Sequence, residues 1–224
     1  MPELPEVEAW RTALDCVARG RLVKAVDFAA DDAKVLVGAS RAEIVKRLPG
    51  SKCMGAFRKG KHLWLAFASA AAVAQHLRTD KREPRDEFSV GLHMGMTGAI
   101  QIEGKRTLSL ESYETDESGE WPPAYAKLAL SFDSASLDDE EKGKGKKKEK
   151  KTKEPSRVAF TNRRRFGRVR FITSGDPTLV EPYAALGPDA LNDLPGLGKD
   201  WFKEKLAPSG RAIKSALLDQ GLVR

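Results

Sequence analysis

Cys53-Met54-Gly55-Ala56-Phe57-Arg58 and His62-Leu63-Trp64-Leu65-Ala66-Phe67 flank the short link Lys59-Gly60-Lys61. Two runs rich in apolar and aromatic residues around a glycine-centred link predict a β-hairpin with its tip at Gly60. Similar runs lie on both sides. Upstream are Arg21 to Phe28 and, more briefly, Lys34 to Val37; downstream, Val90 to Ile102 is punctuated by Gly91, Gly95 and Gly98. Lys127 to Phe132, Arg157 to Thr161 and Arg168 to Thr173 follow. At least seven short strands at this spacing predict a sandwich or a barrel. Ser69 to Glu87 is alanine-rich and then charged, and is expected to be a loop insertion with at most a short helix.

Ahead of the strands, Val7, Trp10, Leu14 and Val17 recur at steps of three and four, which gives one apolar stripe on a helix. Pro5 suits the first helical position, where its missing N–H costs nothing. Gly20 suits the stop. A helix over about 5–19 follows, with Glu6 and Glu8 in its first turn, where the helix dipole favours negative charge. Beyond about Gly175, Pro177, Pro182, Pro188 and Pro195 punctuate short helical pieces, with helices expected at Asp200 to Leu206 and Ala212 to Leu222. Strands give way to helices there, so a domain boundary is expected near 175–180.

The chain has 224 residues, 39 of them basic and 32 acidic, for a net charge of +7. With 41% apolar and 32% charged residues, it is neither collagen-like, nor a membrane bundle, nor wholly disordered. The longest apolar run, Leu63 to Ala74, falls short of the ~20 residues that cross a bilayer. Cys16 and Cys53 are too few for a four-ligand zinc site or a disulfide framework, so no metal, no cofactor and an intracellular setting are expected. Residues 142–153 hold eight lysines, just after the acidic run Asp138 to Glu141. Residues 138–154 cannot bury apolar surface and are expected to be disordered. Without them the remainder keeps +5, so a polyanion partner does not depend on this insertion.

Three places could carry chemistry. If Met1 is removed, Pro2 offers a secondary amine whose basicity is far below that of a lysine. Adding to an aldehyde-level carbon, it would give an iminium, an electron sink. Glu3 and Glu6 beside it could move protons. The ordinary alternative is a helix start whose acids match the dipole. Lys61, just past the hairpin tip, says little alone, since such lysines are usually solvated. Arg163-Arg164-Arg165-Phe166-Gly167 joins two strands, and arginines next to an aromatic suit a loop that enters DNA and holds an emptied base stack open. The alternative is a basic turn with Phe166 in the core. His93-Met94-Gly95-Met96 divides likewise, between core methionines and a probe.

Taken together, these segments resemble the formamidopyrimidine-DNA glycosylases. Met1-Pro2-Glu3-Leu4-Pro5-Glu6-Val7-Glu8 is similar to that family's opening signature. Arg58-Lys59-Gly60-Lys61 resembles its lysine-bearing turn. His93-Met94-Gly95-Met96-Thr97-Gly98 resembles its void-filling methionine segment, and Phe160 to Gly167 its intercalating loop. Leu186-Gly187-Pro188-Asp189-Ala190-Leu191 and Ala212 to Gln220 resemble parts of its helix–two-turn–helix unit.

The resemblance implies an α+β fold: an N-terminal helix with a two-sheet β-sandwich over 1–175, then an incomplete helix–two-turn–helix unit over 176–224. It implies a monomeric DNA repair glycosylase with AP lyase activity, acting on double-stranded DNA that contains oxidised or ring-opened purines or abasic sites. By the family's mechanism Pro2 would attack the sugar C1′ and form a Schiff base, with β- and then δ-elimination to follow. Glu3 and Lys61 would move protons, Lys61 also meeting phosphate, and Glu6 would support the helix start. Met96, Arg164 and Phe166 would fill the vacated stack. His93 and Lys214 would contact phosphate.

Some features depart from the family pattern. Asn162-Arg163 replaces an Asp-Pro pair common in bacterial members. The lysine-rich insertion and the 69–87 spacer suggest a plant- or fungus-like branch, and the lysine run suggests nuclear import. The chain reaches Arg224 before the family's asparagine-bearing turn and C-terminal finger, so a truncated member is expected. A non-catalytic module that binds damaged DNA is the alternative function.

Overall fold

The structure is a computed structural model, and it describes residues 2–28, 34–79, 88–105, 120–134, 156–173, 176–189, 193–210 and 212–217. The lysine-rich insertion at 138–154 and the second half of the 69–87 spacer lie outside the described residues.

Helix α1 spans Leu4–Ala18. Its stripe is fully interior: Val7, Trp10, Leu14 and Val17 are each at most 2% exposed. The strands are β1 (Val23–Phe28), β2 (Leu36–Val37), β3 (Lys52–Lys59), β4 (His62–Ala68), β5 (Phe88–His93), β6 (Gly98–Ile102), β7 (Ala126–Phe132), β8 (Arg157–Asn162) and β9 (Arg168–Ile172). They form two sheets, a four-stranded one in the order β1-β7-β8-β6 and a five-stranded one in the order β2-β9-β5-β4-β3. This is the expected α+β arrangement of an N-terminal helix with a two-sheet sandwich. One core joins the α1 stripe to Phe67, Phe88, Val90 and Leu92 of the larger sheet and to Ile100, Leu130, Phe132 and Phe160 of the smaller one.

The hairpin forms as expected, with Lys59 opposite His62 around the Gly60 tip. The single run Val90 to Ile102 divides into β5 and β6, which belong to different sheets. The split falls at Met94 to Thr97, where the chain crosses from one sheet to the other. In the spacer, Ala70–Thr79 is a full helix, α3, because alanine carries the strongest helix propensity. Sequence periodicity did not expose α2, Arg41–Arg47, which is only seven residues long. Its signal is a capping box, in which the Ser40 hydroxyl accepts from the Glu43 N–H while the Glu43 carboxylate accepts from the Ser40 N–H.

β3 is an edge strand, and α1 covers it with polar side chains as well as apolar ones. The Asp15 carboxylate accepts from the Ala56 N–H at 2.8 Å. Arg11 and Arg19 donate to the carbonyls of Ala56 and Met54. The edge that could pair with another chain is thereby occupied by the helix.

β4 is buried on both faces. One face meets the sandwich core, and the other packs Trp64 and Ala66 against Ile172, Tyr183 and Leu186. After β9, then, the chain turns at Pro177–Leu179 and lies back over the outside of the larger sheet. Helices α4 (Leu194–Leu206) and α5 (Ile213–Leu217) follow; α4 is broken at Gly198, whose backbone is not helical. The expected helix at 200–206 forms inside α4. Of the expected 212–222 helix, 213–217 is described, with Ile213 68% exposed.

Candidate functional site

The strand register gathers the candidate residues at one end of the sandwich. His62 at the start of β4 pairs with His93 at the end of β5, and His93 pairs with Arg168 at the start of β9. At the same end of the smaller sheet, Gly98 pairs with Asn162 and Ala126 pairs with Thr161. Both connections that cross between the sheets here, 94–97 and 163–167, therefore project from this end. The Lys59-Gly60-Lys61 tip lies beside them.

The N-terminus reaches this end through an ion pair. Lys61 Nζ lies 3.0 Å from Glu3 Oε2. The Glu3 N–H donates to the Glu6 carboxylate at 2.8 Å, so Glu6 closes the first turn of α1. Pro2 is buried while Glu3 beside it is exposed.

A buried network holds the lysine turn from behind. The Arg58 side chain is fully buried. Arg58 Nε donates to Glu8 Oε2 at 2.7 Å, and Nη1 donates to Asp189 Oδ2 at 2.5 Å and to the Gly60 carbonyl at 3.0 Å. Asp189 also accepts the Gly60 N–H at 2.8 Å. Burial alone would make Arg58 a weaker base, but bonds to Glu8 and Asp189 outweigh it and hold the guanidinium above its ordinary value. Burial would likewise raise Glu8, but bonds from Arg58 and Arg11 pull its carboxyl below the usual range. Sequence reading placed Arg58 and Asp189 in motifs but gave them no role. What could have found Arg58 is an arginine in a strand run otherwise rich in apolar residues; no local signal marks Asp189.

The two projecting loops lean on each other. Gly95 sits at φ +59, and a side chain there would come 2.6 Å from the Phe166 carbonyl carbon. Only glycine combines that backbone with that approach. Asn162 is buried and donates from Nδ2 to the Met94 carbonyl at 2.9 Å. The Arg164 N–H reaches Thr97 Oγ1 at 3.4 Å. The methionines divide the two roles: Met94 is 2% exposed and belongs to the core, whereas Met96 is 46% exposed. Phe166 is 56% exposed, so it is not a core residue. Arg164 is exposed beside it.

His93 lies tilted against His62 with ring centroids 4.7 Å apart, and Tyr183 meets His62 edge-on at 5.3 Å. These three, with Arg168 and Arg170, line a small cleft of about 80 Å³. Lys214 is exposed on α5, in the helical segment after the sandwich, and none of the contacts above draws it into this cluster. Among the described residues, no group of three or more His, Cys, Asp or Glu could hold a metal ion. No helix there is long and apolar enough to cross a membrane.

Taken together, the site has a carboxylate–lysine pair at the N-terminus, a cationic cleft next to it, and two loops that present Met96, Arg164 and Phe166. Such a site can bind a polyanion and present apolar and guanidinium groups to it.

The profile of the formamidopyrimidine-DNA glycosylase N-terminal domain matches residues 1–169. A formamidopyrimidine-DNA glycosylase of Arabidopsis thaliana is 35% identical over 223 residues, covering all of this chain and 46% of that protein. One from Agrobacterium fabrum is 25% identical, covering all of this chain and 62% of that one. The chain thus spans between about half and two thirds of the length of these relatives. The Lactococcus lactis formamidopyrimidine-DNA glycosylase, solved non-covalently bound to DNA containing an AP site, superposes with a TM-score of 0.63. Its identity is 21%, and the match covers 99% of this chain and 63% of that one, a likeness of fold. The family profile covers three quarters of the sequence, and the chain belongs to the formamidopyrimidine-DNA glycosylase family.

Proposed function

We propose that this protein is a DNA repair glycosylase with AP lyase activity, acting on double-stranded DNA that carries oxidised or ring-opened purines or abasic sites. The observation that carries this reading is the convergence of Glu3 and Lys61, 3.0 Å apart, with the exposed Met96–Arg164–Phe166 group at one end of the sandwich. A base must leave the stack before chemistry reaches its sugar, and side chains that take its place lower the cost of that extrusion.

In this reading Pro2, with Met1 removed, attacks C1′ of the damaged nucleotide. The C1′–N bond breaks and its electron pair leaves with the base, which takes a proton from the acid form of Glu3. The C1′–O4′ bond then breaks, O4′ taking the proton that the Pro2 nitrogen gives up, and the sugar ring opens to an iminium. The iminium draws electrons from C2′ as a proton leaves it, and the 3′ phosphate departs by β-elimination; δ-elimination then releases the 5′ phosphate. Lys61 steadies the phosphate charge and, paired with the Glu3 carboxylate, assists proton transfer. Glu6 fixes the helix start that positions Pro2. Met96, Arg164 and Phe166 occupy the vacated stack. His93, in its cationic cleft, and Lys214 hold backbone phosphate, which positions the duplex without reading its sequence.

Residues 1–175 serve as the catalytic unit. Residues 176–224 begin a helical DNA-binding unit, with 176–189 strapped back onto the larger sheet. The Lys142 to Lys153 run supports a nuclear site of action. The relatives named above carry the glycosylase name, and the Lactococcus protein is bound to AP-site DNA, which supports the enzyme over a non-catalytic binding module. Borohydride trapping tests this reading. A covalent adduct with abasic-site duplex that disappears in Pro2→Gly supports it; salt-sensitive binding with neither adduct nor strand cleavage would leave the binding module.

A further inference from the structure

Tyr125 holds a conformation that its side chain disfavours. Its φ is +61, in the left-handed region that bulky residues avoid. The backbone is pinned there, because the Tyr125 carbonyl accepts the Asn162 N–H at 3.0 Å and the Ala126 N–H closes a turn onto the Pro123 carbonyl at 3.1 Å. The residue is 52% exposed. The Arg163 guanidinium stands over it, 5.5 Å from the ring centroid. A strained, exposed aromatic that carries an arginine on its face has no packing role to explain it. Strain held in place by surrounding bonds is a mark of function.

Position indicates which ligand it serves. The inserting group, Met96 and Arg164 to Phe166, sits on the two connections that cross between the sheets. Lys61, His62 and His93 lie on the larger-sheet side of that group, with Glu3 and Pro2. Tyr125, at the head of β7, and Arg163, at the end of β8, lie on the smaller-sheet side. A wedge between two strands has one strand on each side of it. If the strand under attack crosses the larger sheet, the other strand crosses the smaller one.

We propose that Tyr125 and Arg163 form a clamp for the sugar–phosphate backbone of the undamaged strand. The inference rests on the reading of this site as a duplex-DNA glycosylase. The ring fixes the planar guanidinium by a cation–π contact, so little side-chain freedom remains to be lost when the fork meets phosphate. The Tyr125 hydroxyl adds a second donor. Opposite the inserted side chains, such a clamp keeps the intact strand in place while the other is distorted.

The test measures affinity by fluorescence anisotropy, on a duplex with a tetrahydrofuran abasic analogue and neutral methylphosphonate linkages in one strand or the other. Neutral linkages opposite the lesion should weaken the wild-type protein by about ten-fold, the loss of one charge-assisted contact. They should weaken Arg163→Ala and Tyr125→Asn by less than two-fold on the order expected for a contact already lost. Neutral linkages in the lesion strand should weaken all three proteins equally. Tyr125→Asn adds a readout that a structural role would not give: asparagine tolerates positive φ, so its unfolding temperature should stay level or rise while affinity falls.

Equal sensitivity of wild type and variants to neutral linkages in the undamaged strand would overturn the clamp. So would a Tyr125→Asn protein that unfolds earlier and binds as the wild type does. A wild-type protein with no affinity for the duplex would instead overturn the glycosylase reading, and the clamp with it.

Discussion

The Arg58 guanidinium and the Asp189 carboxylate, 131 residues apart in sequence, meet at 2.5 Å in a site closed to solvent. Asp189 also takes the Gly60 N–H, so one carboxylate fixes both the arginine and the turn that ends in Lys61. The segment after the sandwich is thereby tied to the lysine at its end. Removing Asp189 leaves the buried Arg58 with Glu8 as its remaining carboxylate partner and takes the acceptor from the Gly60 N–H, so Asp189→Ala should lose about 2–3 kcal/mol in urea unfolding. Arg58→Met together with Asp189→Leu should lose much less than the two single changes added, since neither charge then stays buried alone. Both proteins should cleave abasic-site DNA slowly, because the turn has lost its anchor.

Lys61 and Glu3 should show the opposite balance. The Glu3 side chain is 64% exposed, so the pair adds at most about 1 kcal/mol to stability. Lys61→Ala should therefore unfold within about 1 kcal/mol of the wild type, yet lower the cleavage rate by about 10²–10⁴, as expected for loss of a proton-transfer group. Single-turnover cleavage set beside thermal unfolding checks both parts.

Gly91 leaves room for Tyr183. A side chain at Gly91 would begin 2.0 Å from the Tyr183 hydroxyl. Gly91→Ala should expel that ring from the outer face of the larger sheet and destabilise the fold by a few kcal/mol, the range for overpacking. Adding Tyr183→Phe removes the clashing oxygen and should recover part of the loss. If Gly91→Ala has no effect on the unfolding temperature, Tyr183 is not seated there.

Tyr183 also sets an alkaline limit. Burial pushes its phenol up to about 12, against an ordinary value of 10, with Arg170 pulling slightly the other way. The folded chain holds this proton more tightly than the unfolded chain. Stability from this source is full below pH 10 and falls as pH rises from 10 to about 12. Urea midpoints across that window should drop for the wild type and drop less for Tyr183→Phe.

The helix stripe Val7–Trp10–Leu14–Val17 and the hairpin around Gly60 were legible in the sequence because local periodicity specifies them. The pairing of β5 and β6 with different sheets was not legible, because a four-residue crossing leaves the same alternating pattern as a continuous run. The α2 helix was hidden by its length, since its seven residues make fewer than two turns and bury Ile44 alone, too little for a stripe to show. At the site, the residues on the two loops and the N-terminus could be named from their motifs. What could not be read was distance: nothing local in the sequence brings Asp189 to Arg58, or Tyr125 to Arg163. Both pairings arise from sheet register and from the strap that folds back over β4, and these are products of the assembled core.

The central claim is that the nitrogen of Pro2, freed of Met1, forms a covalent bond to a deoxyribose carbon beside Glu3 and Lys61. Intact-mass measurement of the purified protein, followed by borohydride reduction on abasic-site duplex, tests it most directly. The account predicts a mass lacking Met1 and a stable protein–DNA adduct that maps to the N-terminal peptide and is absent in Pro2→Gly. An adduct that maps to a lysine and persists in Pro2→Gly would contradict it.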